Sequence, residues 1–237
     1  MQLIDSHVHI ETDIHNTSED LDRNGISKAL VYLNDGIIPK ERPDNIILGT
    51  TINYLSDVKK AYKKGIRIIK MLPYEQRITL NKLNDEYYKS MKFMQKHGMI
   101  LSMCSTYGSK LLYKTNGLQL AFAVKEDFPD IPIILAHGGG PRVFDAMTLM
   151  LEYPDVYMDL SFSLKYWWES SVIDDYAFAL RKLKGKNVLY GSDYPYVSFA
   201  ESLNYFLYFA KVKNIIYTED ICYNNFKKFE ELHLEKS

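Results

Sequence analysis

QLIDSHVHIETD, residues Gln2–Asp13, opens the chain with an apolar run that ends on two histidines, His7 and His9, one residue apart. The run reads as a strand. On a strand, residues i and i+2 share a face, so both imidazoles point the same way and are close enough to grip one ion. The residues just past the histidines decide between two folds. An open doubly wound sheet usually carries a glycine-rich phosphate loop after its first strand, and SHVHIETD has none. The stretch therefore favours a closed barrel. Taken alone, H-x-H is weak: it reads equally well as two polar residues where a strand runs out into a loop.

Working outward, strand-like runs alternate with amphipathic stretches. The strands are QLIDSHVHI, SKALVYL, NIILGTTI, IRIIKMLP, MILSMCS, IPIILAH, VYMDLSF and KNVLYGSD. Helical segments lie between most of them. SDVKKAYKKG stops at Gly65 and NDEYYKSMKFMQKHG at Gly98, while TNGLQLAFAVKEDF and VIDDYAFALRKLKG repeat the pattern. Several strands are continuous β-branched runs, as expected of a parallel sheet buried on both faces. Eight strand–helix units in 237 residues predict a (β/α)8 TIM barrel, slightly short of the typical ~250. No linker or low-complexity segment divides the chain, so residues 1–237 are read as one domain.

Hydrophobic residues make up 46% and charged residues 25%, an ordinary globular balance. With 29 basic and 30 acidic side chains the net charge is −1, so no global field draws nucleic acid or an anionic membrane. The lysines at 59, 60, 63 and 64 read as a solvated helix face. The longest apolar runs break off well before the ~20 residues that span a bilayer, and no basic lead or cleavage site precedes the first strand. Two cysteines, Cys104 and Cys222, do not make a disulfide framework; the expected setting is a reducing cytoplasm.

In a barrel of this kind the active site is built at the C-terminal ends of the strands. Strand one ends with His7 and His9, strand four with Lys70, strand five with Cys104 and strand six with His137. Strand seven brings Asp159 and Ser161, and strand eight Asp193. His15, His97 and His233 fall elsewhere and read as surface residues. Imidazole and carboxylate suit one divalent transition metal, zinc first, with manganese, iron or cobalt as alternatives. Such an ion lowers the pKa of a bound water to about 7. Asp193 can both hold the metal and relay the proton, and a second histidine can polarise the substrate.

These motifs, in this order, resemble the amidohydrolase superfamily, in the branch of metal-dependent decarboxylases and lactone hydrolases. IDSHVHI resembles the family's first-strand motif and IRIIKMLP its fourth-strand lysine segment. AHGGGP, VYMDLSF and YGSDYP resemble the sixth, seventh and eighth, and ICYNNFKKFEEL the closing helix, with Asn225 at the usual asparagine. The resemblance implies metal ligation by His7, His9 and Asp193. It makes His137 a catalytic histidine, or a further ligand as in some relatives. The family's strand-five histidine is replaced here by Cys104, which is either a thiolate ligand or a buried core residue. Two-metal relatives can carbamylate the fourth-strand lysine. With no strand-five histidine, an unmodified Lys70 paired with Asp159 or with an anionic substrate is expected instead.

Arg142 could hold a substrate carboxylate through its forked donors, or stand as a solvated charge at the start of a helix. Trp167 and Trp168 would wall an apolar pocket, pack against the barrel, or form a homo-oligomer contact. The leading function is hydrolysis of a small-molecule amide, ester or lactone by a metal-activated water. The alternatives are decarboxylation of an unsaturated or aromatic acid, and a catalytically impaired barrel that binds a ligand. A deoxyribonuclease-like enzyme fits less well, because such proteins usually carry a glutamate where this chain has Lys70.

Overall fold

The computed structural model describes residues 2–10, 13–33, 38–51, 55–76, 78, 85–105 and 116–235. Eight parallel strands hydrogen-bond in chain order. They are β1 (Ile4–His9), β2 (Lys28–Leu33), β3 (Ile46–Thr51), β4 (Ile68–Met71), β5 (Ile100–Cys104), β6 (Ile133–Ala136), β7 (Val156–Asp159) and β8 (Val188–Leu189). Helices α1 (Ile14–Arg23), α2 (Leu55–Lys63), α3 (Asp85–Lys96), α4 (Gly117–Asp127), α5 (Val143–Glu152), α6 (Ser163–Tyr166), α7 (Val172–Leu183), α8 (Phe199–Val212) and α9 (Asn225–His233) accompany them. This is the expected (β/α)8 barrel.

The eighth strand departs from expectation. Regular pairing with β7 covers only Val188 and Leu189. Asp193 therefore lies in the loop beyond, not at a strand end. That loop still closes the barrel against β1: Ser6 N donates to Tyr190 O at 2.8 Å, Asp193 N to His7 O at 2.8 Å and His9 N to Tyr194 O at 2.7 Å. Asp193 is thereby tied by its own backbone to the strand that carries both histidines.

A bulge in β1 sets where those histidines point. Ile4 and Asp5 pair with Lys28 and Ala29, whereas Val8 and His9 pair with Val31 and Tyr32. One extra residue thus lies between Asp5 and Val8. Side chains alternate with a period of two, so one insertion reverses the parity. Ile4 packs inside the barrel with Leu30, Ile68, Ile100, Ile134 and Leu189. Val8, four residues on, packs outside among the helices. Without the bulge Ile4 and Val8 would share a face, and His7 and His9 would point outward.

The lower barrel is closed by α9, whose Phe226 and Phe229 enter the inner cluster. Asn225 fixes that helix, its Nδ2 donating to Gly185 O at 2.7 Å and Val188 O at 2.8 Å. His233, expected at the surface, instead bonds the buried Tyr157 hydroxyl at 3.0 Å, adding to the same plug. No helix among the described residues is long and apolar enough to cross a membrane.

Candidate active site

Four strand-end segments converge above the inner apolar layer. His7 Nδ1 lies 2.9 Å from Asp159 Oδ2. The carboxylate accepts a hydrogen bond from Nδ1–H, which puts the lone pair of the neutral ring on Nε2, toward the barrel axis. His7 Nε2 and His9 Nε2 stand 3.5 and 3.4 Å from Asp193 Oδ1. His7, His137 and Asp193 also form a group whose ligand atoms lie within 4.8 Å of one another. Gly191 makes room for this packing: a Cβ there would meet the Cβ atoms of His7 and Ser161 at 3.0 Å each.

Asp159 organises the rim. Its Oδ1 accepts from His137 N at 3.0 Å, from Ser161 N at 3.1 Å and from the Ser161 hydroxyl. Ser161 Oγ in turn lies 2.9 Å from His137 Nδ1. His137 reaches this position because the chain turns sharply through Gly138, Gly139 and Gly140, at φ 55°, 82° and 54°. Burial alone would raise Asp159, but the hydrogen bond from His7, the charge of His137 and the hydrogen bond from Ser161 outweigh it and hold the carboxyl below the usual range.

The other ionisable groups divide by environment. Burial and the Lys70 charge push His7 down to about 3, so its ring is neutral. Burial also opposes the charged form of His137, but a hydrogen bond with Cys104 and the charges of Asp193 and Asp159 carry it up to about 9. Asp193 stays far below the usual carboxylate range: burial is outweighed by the His9 hydrogen bond and the charges of His137 and Lys70.

Lys70 differs from expectation. Its side chain reaches His7 and His9 rather than bonding Asp159: Nζ lies 2.7 Å from His7 Nε2 and 3.1 Å from His9 Nε2. It also sits 4.5 Å above the Tyr32 ring. Burial lowers its pKa. Cys104 is buried at the end of β5 and stands outside the His7–His137–Asp193 group. Arg142 is exposed in the turn before α5 and makes no side-chain capping bond. Trp167 and Trp168 are partly buried against the outer core. Trp168 packs its ring on Tyr205 and Tyr208 of α8.

Three contributors give no sign of their role in the sequence. Asp5 Oδ1 accepts from His7 N at 3.0 Å and Ser192 N at 2.9 Å, locking the bulge to the β8 loop. Tyr196, 70% exposed, sets its ring edge-on to His9 with centroids 5.7 Å apart. Phe162 stands in the same relation to His137 at 6.1 Å. Asp5 sits inside the first-strand motif, but only the bulge explains its role.

Fold and site together define a (β/α)8 barrel with a histidine–aspartate cluster at the C-terminal rim. The chain belongs to the amidohydrolase family, whose sequence profile matches residues 49–222. The superfamily consists of metal-dependent enzymes, hydrolases and decarboxylases among them. An uncharacterized TIM-barrel protein from Bordetella bronchiseptica is similar in structure, with TM-score 0.76, 15% identity, and coverage of 98% of this chain and 99% of that one. A putative 2-pyrone-4,6-dicarboxylic acid hydrolase from Pseudomonas putida gives 0.68, 12%, 99% and 99%. 5-Carboxyvanillate decarboxylase from Sphingomonas paucimobilis gives 0.65, 12%, 96% and 98%. No curated protein matches by sequence.

Proposed function

We propose that this protein is a metal-dependent hydrolase of a small-molecule amide, ester or lactone, using one divalent transition metal. The observation that carries the reading is the distance of Asp193 Oδ1 from His7 Nε2 and from His9 Nε2, beside a His7–His137–Asp193 group whose ligand atoms lie within 4.8 Å of one another. Donors about 2.0–2.1 Å from a tetrahedral ion are about 3.3–3.4 Å apart; the two histidine–aspartate separations are 3.5 and 3.4 Å. The nitrogen and oxygen donors suit zinc first, with manganese, iron or cobalt as alternatives. A divalent ion held there lowers the pKa of a coordinated water toward neutrality.

The chain's own groups supply the rest. Asp193 stays ionised, so its carboxylate can accept a proton from the attacking water. His137 is raised to about 9 and carries a proton at neutral pH. Its ring, held at Nδ1 by Ser161 and hydrogen-bonded to Cys104, is the proton donor placed to polarise a carbonyl or protonate a leaving group. Asp159 holds His7 in one tautomer and orients the His137 backbone.

Decarboxylation would be favoured by a cation free to clamp a substrate carboxylate. Among the described residues, Arg142 is exposed and Lys70 is turned onto His7 and His9.

Elemental analysis of untagged protein, then assays of lactones, amides, esters and carboxylic acids with defined metals, tests it. About one metal per chain and water addition are expected. His7→Ala/His9→Ala should abolish metal retention, and His137→Asn should lose about 100-fold or more in rate. A double variant that keeps the metal overturns the ligand set, and release of carbon dioxide overturns the reaction.

A further inference from the structure

We propose that Phe162 is a specificity-determining residue, its ring forming the wall beside His137 against which the non-reacting part of a flat-ringed ligand lies. The location of that ligand rests on the proposed hydrolase site. The backbone gives the first sign. Among the described residues seven non-glycine positions have positive φ; His137 at 64° and Asp193 at 67° belong to the histidine–aspartate cluster, Phe162 at 62° follows β7 beside it, and Glu169, Lys184, Asn187 and Asn214 lie further along the chain. Phe162 has a ψ of −40°, which lies outside the left-handed helical well. Ser163 N bonds Ser161 O across it at 2.6 Å, making a γ-turn of positive φ, a rare and strained form. Glycine would adopt this backbone without a Cβ penalty, yet phenylalanine occupies it. Strain of this kind persists at functional sites where the surroundings over-determine it.

The ring is placed accordingly. It meets His137 at 70° with centroids 6.1 Å apart. Tyr166 stacks on it at 4.8 Å and 27°, and Trp167 backs Tyr166 edge-on at 4.9 Å. The half-buried ring also lines a small cleft of about 10 Å³ shared with Leu160, Leu164, Tyr190, Tyr205 and Phe206. At the other end of the imidazole row, Tyr196 stands edge-on to His9. His9, His7 and His137 run in sequence, with centroids 5.3 and 4.8 Å apart. The row is thus bracketed by two aromatic rings. Contact between aromatic rings adds stabilisation beyond area alone, which favours a flat ring over a puckered one.

Benzoate and cyclohexanecarboxylate match in charge and differ in ring shape. Calorimetric titration of each into the wild type, Phe162→Leu and Phe162→Gly tests the proposal, with zinc content and Tm measured on the same preparations. The wild type should prefer benzoate by about tenfold, and Phe162→Leu should narrow this to about threefold. Phe162→Gly should lose the preference while its Tm equals or exceeds the parent's, because glycine relieves the turn. Binding of neither probe, equal binding by the wild type, or a preference unchanged in both variants overturns the proposal. So does a fall in Tm for Phe162→Gly with the preference retained, which marks a structural wedge. Zinc content reads the metal site separately, so normal zinc without ring preference sinks the Phe162 assignment alone.

Discussion

Asp5 shows how one side chain couples the fold to the site. Burial pushes its carboxyl up to about 7, against the lowering effect of its hydrogen bonds with Ser192 and His7. Its Oδ2 is buried and has no hydrogen-bond partner among the described residues. The folded state therefore holds a proton that the unfolded chain has released above its ordinary value of 3.8. Stability from this group is fully present below that value and is lost as the pH rises through about 7. An amide in place of the acid removes the cost of ionising. In chelator, Asp5→Asn should gain on the wild type by a few kcal/mol between pH 5 and pH 8. Urea unfolding at the two pH values measures this, and a difference that does not change with pH would refute it. Lys70 acts on the same row of groups from the opposite side. Its amine meets the two lone pairs that a metal would use.

The first strand and the last helix divide the work of holding and aiming the site. The β1 bulge turns His7 and His9 inward, and the β8 loop binds both the bulge and Asp193. Below, α9 closes the barrel with Phe226 and Phe229. Each buried phenylalanine contributes roughly 1.5–3 kcal/mol. Asn225 secures that helix from the end far from the histidines, through the carbonyls of Gly185 and Val188. Asn225→Ala should cost about 1–3 kcal/mol in denaturant unfolding, from the loss of two hydrogen bonds at about 0.5–1.5 kcal/mol each. Zinc binding by the folded variant should match the parent. A loss of zinc with full stability would mean that α9 shapes the site and does not merely support it.

Across the whole molecule, a bound metal would join β1 to the β8 loop, at the seam where the barrel closes. An ion that binds only the folded chain stabilises it by about 2.7 kcal/mol at a hundred times its Kd. For a chain of this size that corresponds to a rise of roughly 5–10 °C in Tm. Calorimetry in zinc and in chelator should show that difference, and His7→Ala/His9→Ala should erase it. Equal Tm values for the wild type in both conditions would argue against a metal at the seam.

The barrel was legible in the amino-acid order because strands buried on both faces need continuous apolar runs, and their period and spacing are local properties. The same holds for most chemical groups at the rim, since β1 and the segments after β6, β7 and β8 carry them as short motifs. The bulge was not legible. SHVH looks the same in either register, and the choice depends on which residues of β2 and the β8 loop pair with it. Partners were hidden for a related reason. Asp159 lies 152 positions from His7, and nothing local pairs the two, or turns Lys70 onto the histidines. Phe162 gave no signal either, because its γ-turn is imposed by the bonds around it and not by phenylalanine's own preference. Local pattern set the elements and the chemistry available to them; parity, pairing and strain arose only when distant segments came within bonding distance.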